Sequence, residues 1–382
     1  MRKPIYLDHA ASTPLSPDVK KYIISLLDTY GNPSSSHSQG AEARKIIENA
    51  RIKVADFLNM DDKDDLSKKI LFTSSGSAAN ALAVKGLTSE NPELNQYEVF
   101  YSPTAHKSML KACEACLYHM PLQVNFYGEI DLQCLDNLLY HHNMLRPFVC
   151  IEAANSEIGA INNVARIGSI VHKYGGVLLV DVTGYIPSIR VNMAHWKNHV
   201  DILTFSGHKL HALKGVGVLY KRKDLQLNPL IYGSQEQGLF AGTENFLGIA
   251  SLGKAVENYD YSSISSKKRD YLINSILLSI SDCYLIGSRE NRLPHNIYLC
   301  FKGIEGEALM ILLDMKDIQV STGSACSGRD LTPSPALLSI GLPDEDIHSC
   351  IRITLSGNET YKELDYVINA MKKCVDNLKA LR

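Results

Sequence analysis

The chain has 382 residues, with 39 Lys and Arg against 41 Asp and Glu, a formal net charge of -2, and no basic cluster. That balance excludes nucleic acid and anionic membrane as main partners, and no apolar stretch approaches the length that spans a bilayer. A hydrophobic share of 45% with 21% charged residues is that of a globular protein, and the length predicts one large domain plus a smaller one.

The opening MRKPIYLDHA lacks the apolar segment of a secretory signal, so a cytoplasmic location is expected. Ser16 and Pro17 are a cap and a first-turn proline, and they open a helix over PDVKKYIISLLDTY. AEARKIIENARIKVADFL follows with helical period, placing Ile47, Ala50, Val54 and Leu58 on one face. The acidic stretch MDDKDDLSKK reads as a solvated loop. Beyond it the chain alternates. Short β-rich runs lie at 70–74, 99–103, 148–154, 176–182, 202–206 and 215–221, and most are separated by helical stretches such as SAANALAVKGL and ARIGSIVHKYG. Strands apolar throughout, with helices between them, predict a mostly parallel sheet covered on both faces. From about residue 256 the texture becomes α+β, with helices in SSISSKKRDYLINSILLSI, GEALMILLDMK and TYKELDYVINAMKKCVDNLKAL and strands in HNIYLCF and IRITL. The expected division is a large unit over 15–255 and a small one made of 1–14 with 256–382.

Nine cysteines, an odd number in mostly apolar contexts, read as free thiols of a reducing compartment. The one close pair, Cys113 and Cys116, lies on a helical pattern, and no second pair or His motif completes a zinc site. It reads as core, and no metal is expected.

In parallel α/β sheets ligands bind beyond the carboxyl ends of the strands. The polar residues there are a short list. TSSGSAAN places small residues and the hydroxyl of Ser77 at a helix N-terminus, which is either a phosphate cradle or a capped Ser-rich turn. SPTAHKS places His106, EAANSEIG places Asn155 and GVLLVDVTG places Asp181. DILTFSGHK ends in Ser206, His208 and Lys209. Alone, Lys209 is a surface lysine after a turn. Together, an amine, a carboxylate and a phosphate cradle at one sheet edge suit pyridoxal 5'-phosphate: Lys209 for its aldehyde, Asp181 for its ring nitrogen, the cradle for its phosphate.

Over nearly its whole length the chain resembles the cysteine desulfurases, the NifS-like group of class V aminotransferases. The resemblance rests on IYLDHAASTP, YGNPSSSH, LFTSSGSAAN, TAHKS, ANSEIG, GVLLVDVTG, SGHKLHALKGVGVLY, AGTEN, GEALM, STGSACS and IRITLS, in that order. It implies a fold-type I pyridoxal-phosphate enzyme: a large domain with a mostly parallel mixed sheet covered by helices, and a smaller α+β domain. By the same resemblance Lys209 forms the Schiff base, His106 stacks on the ring and helps move protons, and Asp181 pairs with the ring nitrogen. Asn155 lies near the 3'-oxygen, while Ser77, Ser206 and His208 hold the phosphate. Thr243 reaches the partner subunit's cofactor in a homodimer, and Arg352 clamps the carboxylate of L-cysteine. Cys326, in the Ser-, Gly- and Pro-rich STGSACSGRDLTPSPALLSIG, is the nucleophile that keeps the sulfur as a persulfide; without the rest of the site it reads as a buried Cys in a tight turn. The long stretch after Cys326 resembles the long-loop branch, whose protein acceptors serve iron–sulfur cluster assembly or tRNA thiolation.

Three departures accompany the resemblance. Gly184 stands where the family usually has a Gln beside the cofactor's 3'-oxygen. The segment Glu236 to Gly242 lacks the usual Arg residues before Thr243. Ala78 stands where a Glu is common. They leave open a selenocysteine lyase, another C–S lyase or aminotransferase, or a diverged low-activity partner protein on the same fold.

Overall fold

The computed structural model describes residues 4–142, 144–264, 266–322 and 333–381. Its strands are β1 (Ile5–Tyr6), β2 (Ile70–Thr73), β3 (Tyr97–Tyr101), β4 (His119–Pro121), β5 (Arg146–Glu152), β6 (Val177–Asp181), β7 (Ile202–Ser206), β8 (Gly217–Lys221), β9 (Cys283–Leu285), β10 (Asn296–Phe301), β11 (Ile318–Gln319) and β12 (Cys350–Thr354). A seven-stranded sheet has the order β2-β8-β7-β6-β5-β3-β4. Only β8 runs against the others, so β2, β3, β5, β6 and β7 all end at the same edge.

The alternation of β6 shows why the sheet is covered twice. Leu178 and Val180 pack into one cluster with the helix Ser38–Phe57, while Val177 and Leu179 pack into another with the helix Gly76–Leu87. Successive strand residues face opposite sides, and here both sides are apolar. A third cluster joins Ile5 and Leu7 to β10, β12 and the helices Ser266–Ser279, Gly306–Asp314 and Tyr361–Ala380. The pairing of β1 with β11 brings the start of the chain into that cluster.

Several expected boundaries shift. The first helix stops at Ser25 rather than running to Tyr30, and the strand expected over 148–154 ends at Glu152. The acidic stretch is not all loop: Leu66–Lys69 makes one helical turn, and Lys69 is buried with its ammonium on Asp62. Cys113 and Cys116 are free and buried. Among the described residues no cluster of His, Cys, Asp and Glu could hold a metal ion, and no helix is long and apolar enough to cross a membrane.

The segment before Thr243 contains an unexpected buried ion pair. Glu236 takes both terminal nitrogens of Arg51 at 3.1 and 3.0 Å and also accepts the Phe72 N–H at 2.9 Å, which covers part of the exposed edge of β2. Both side chains are about 95% buried, with exposures of 5% and 4%. Without Glu236 the buried Arg51 would keep only the half-exposed Glu48, at 3.3 Å, as a carboxylate partner. Glu236→Ala is therefore expected to lower stability by about 3 kcal/mol, measured by urea unfolding; a change below about 1 kcal/mol would mean that solvent reaches this pair.

Candidate active site

A cavity of about 220 Å³ opens at the shared end of β2, β3, β5, β6 and β7. Each of these strands hands over from an apolar run to a polar turn, so the side chains on the turns converge on one space. Ser77, His106, Asn155, Asp181, Ser206, His208, Lys209 and Arg352 all line it. Thr243 does not; it is exposed. Cys326 lies outside the described residues.

The anion end is built first. Ser75 caps the helix Gly76–Leu87, accepting the Ala78 N–H at 3.1 Å. The N–H groups of the first turn have no helical acceptor, and Gly76 and Ser77 carry theirs at the cavity wall. This cradle sits directly on β8. A Cβ at Gly217 would lie 2.2 Å from the Ser75 carbonyl carbon, so only glycine lets the loop approach. Gly217 is the register partner of both Thr73 and Ser206, which brings the ends of β2 and β7 beside the cradle. His208 lines the cavity as well. Burial, with Lys209 and Lys214 nearby, pushes its imidazole down to about 4, so it is neutral at physiological pH.

Lys209 ends the short 3₁₀ turn Gly207–Lys209 that follows β7. The turn is tied from outside: the His208 carbonyl accepts both the N–H of Thr13 at 3.1 Å and its hydroxyl at 2.8 Å. The backbone that carries Lys209 to the cavity wall is thereby tied to the N-terminal segment.

Asp181 has both oxygens engaged, one by Asn80 Nδ2 at 2.9 Å and one by the Thr183 N–H at 2.8 Å. Asn80 also bonds Thr204 and Ser108, which links three elements around the carboxylate. His106 caps the helix Lys107–Glu114 and bonds the Ser108 hydroxyl through Nδ1 at 2.8 Å. Its ring is open to the cavity, yet the surrounding protein and then the Lys209 charge hold its pKa below the ordinary value. Asn155 uses its amide to fix the backbone, donating to the Thr104 carbonyl at 2.6 Å and accepting from Glu157 and Ile158 N–H. Arg352, 3% exposed on β12, is oriented by Asp8 at 2.9 Å.

The sequence reading missed four polar residues on or beside the cavity wall: Asp8, Asn80, Glu152 and Glu157. Glu157 lines the cavity and accepts the Ser334 hydroxyl at 2.6 Å. Asn80 was legible as a polar residue one turn into an apolar helix. Asp8 gave no local signal, because its partner lies 344 positions away. Gly184 lines the cavity as a site of close approach: a Cβ there would meet the Ala154 carbonyl oxygen at 2.7 Å, so the backbone as it stands admits no longer side chain.

These residues fit pyridoxal phosphate. The cradle is a backbone surface that a Cβ would disrupt, the carboxylate is fixed at the cavity, and the amine follows β7, which lies between β2 and β6 in the order of the sheet.

Residues 5–367 match the aminotransferase class-V family. The chain is 36% identical to the cysteine desulfurase IscS of Dictyoglomus turgidum, over 100% of this chain and 97% of that protein. It is 37% identical to the cysteine desulfurase of a Nostoc species, over 99% and 94% of the two chains. The solved structure of a NifS-like protein from Rickettsia africae superposes with a TM-score of 0.86 at 30% identity, covering 98% of this chain and 99% of that one. A full-length match in sequence and in fold, over a site of this composition, places the chain in the class-V aminotransferase family, among the cysteine desulfurases.

Proposed function

We propose that this chain removes sulfur from L-cysteine. The C–S bond of the substrate breaks, alanine leaves, and the sulfur stays on the thiol of Cys326 as a persulfide. Cysteine and one thiol give alanine and one persulfide, so atoms and electrons balance: the substrate carbon is reduced and the sulfur is oxidised. Pyridoxal phosphate, when bound, supplies an aldehyde that captures the substrate amine and a ring that accepts electrons.

The protein's own residues do the rest. The Gly76 and Ser77 amides, Ser206 and His208 would hold the phosphate, with Thr243 reaching the partner subunit's cofactor in a homodimer. Asp181 would keep the ring nitrogen protonated, and Asn155 would stand near the 3'-oxygen. Lys209 would hold the cofactor and then move a proton at the substrate Cα, and His106, neutral by the direction of its shift, is suited to accept or return one. Arg352 would take the substrate carboxylate with its planar fork. Cys326 would attack the substrate sulfur as thiolate and pass it to a scaffold or sulfur-carrier protein for iron–sulfur cluster assembly or tRNA thiolation. The same reading assigns 15–255 to cofactor binding and 1–14 with 256–382 to a smaller unit carrying Cys326, in the cytoplasm.

The observation that carries this reading is the convergence of Lys209, Asp181, His106, Arg352 and a helix N-terminus on one cavity. The test is direct. Purified protein loaded with pyridoxal phosphate is given L-cysteine, alanine and total released sulfur are measured, and the persulfide is mapped by mass spectrometry. Equal alanine and sulfur with the persulfide on Cys326 is the expected outcome. Alanine without sulfur, or no reaction, would remove the reading.

A further inference from the structure

One carboxyl group on the cavity wall has no part in this scheme. Glu152, the last residue of β5, is 5% exposed and is the register partner of Asp181 on β6. Register partners on adjacent strands project to the same face of a sheet, so two carboxyl groups stand side by side. Glu152 Oε1 accepts the hydroxyls of Ser102, at 3.2 Å, and Thr104. These hydroxyls are also 2.9 Å from each other. Oε2 is buried and has no hydrogen-bond partner among the described residues.

Thr104 connects this carboxyl to two residues of the scheme. It lies two positions before His106 in the turn after β3. Its carbonyl accepts the Asn155 amide at 2.6 Å. Holding the Thr104 side chain therefore holds the turn that leads to His106 and the amide beyond it.

We propose that Glu152 is a positioning residue: with the Thr104 hydroxyl as its handle it fixes the turn that presents His106 and Asn155 to the cofactor, and it does so as the neutral acid. Two adjacent carboxylates in a low-dielectric site do not both ionise cheaply. Asp181, with both oxygens accepting hydrogen bonds, is the one equipped to carry charge. Burial, opposed by the two hydroxyls and reinforced by Asp181, pushes Glu152 up to about 7. The other charged or titratable groups on the cavity wall are His106 and Lys107 at the helix after β3, Glu157 after β5, His208 and Lys209 after β7, and Arg352 on β12. None of these six is among the main influences on Glu152.

The sign follows. The folded state holds this proton more tightly than the unfolded chain, whose carboxyl titrates near 4.5. The group's contribution to stability is full below 4.5 and is lost as pH rises toward about 7. Above that, ionised Glu152 puts an unsolvated charge beside Asp181 and loosens the turn.

The test compares the wild-type full chain with Glu152→Gln, which keeps the shape and the accepting oxygen but cannot ionise, from about pH 5 to about pH 9. Melting is followed with and without pyridoxal phosphate, and kcat and KM for L-cysteine are followed on the loaded enzyme. The wild type is expected to lose melting temperature relative to Glu152→Gln through neutral pH, and to lose kcat on the alkaline side with KM unchanged. Thr104→Val, which removes the handle, is expected to lower kcat about tenfold, less than the hundredfold or more that losing the proton-transfer group itself would cost, and Thr104→Ser to restore it. Superimposable melting and kcat profiles for wild type and Glu152→Gln would overturn the proposal, as would a Thr104→Val enzyme with wild-type kcat. The inference rests on the desulfurase reading only for its kinetic arm. A wild type that turned over no cysteine would end that reading, while the melting comparison would still decide the role of Glu152.

Discussion

Lys209→Ala is expected to fold, to lose the visible absorbance that lysine-bound pyridoxal phosphate gives, and to lower turnover of L-cysteine by about a thousandfold or more. The argument is positional. Lys209 ends a short turn held by Thr13 on one side and by the strand Ile202–Ser206 on the other, whereas Lys107, the other lysine on the cavity wall, starts from the helix after β3. Removing its charge also relieves His106 and His208, both of which it pushes downward; their pKa values should rise in the variant. Absorbance spectroscopy and a cysteine assay decide the matter. A variant that kept the wild-type visible band would move the covalent link to another amine.

Cys326→Ala is the second large effect, and it separates two halves of the chemistry. The cofactor residues are untouched, so the loaded variant should keep the wild-type spectrum. Persulfide should vanish from the protein, and release of sulfur from L-cysteine should fall by at least about a hundredfold, as for the loss of an activated nucleophile. Mass spectrometry of the intact chain after incubation with cysteine reads the first, and a sulfide assay the second. Sulfur release at the wild-type rate would show that another acceptor takes the sulfur.

How far the site could be read from the chain depended on where each residue sat in its strand. Asp181, Ser206 and Lys209 were legible because each interrupts or follows an apolar run, and a polar group there needs a reason. Glu152 carries the same signal in FVCIEAA, but Ala153 and Ala154 prolong the apolar run past the true strand end. It therefore looked like an interior residue instead of a terminal one. Lys69 misled in the opposite sense: charge composition marked its stretch as solvated, yet its stem is buried and its ammonium returns to Asp62. The segment before Thr243 was read for the arginines it lacks. What the structure shows in that segment is Glu236, turned inward onto Arg51 of a helix nearly two hundred positions earlier. Alternation and turn chemistry are local and were readable. Partnerships across long sequence separations, such as Arg51 with Glu236, are set by packing and were not.

The ion pair of Asp8 and Arg352 has a consequence for how the protein is made. Its two members are joined only after the ribosome has synthesised almost the whole polypeptide, and the strand that precedes Asp8 must wait for Ile318 and Gln319 before it can pair. Contacts this remote in sequence slow folding. The amine-bearing turn, fastened by Thr13, can close earlier. A nascent chain is thus expected to fasten the turn that bears Lys209 before Arg352 can join Asp8, so that C-terminally interrupted products would hold the first contact and lack the second.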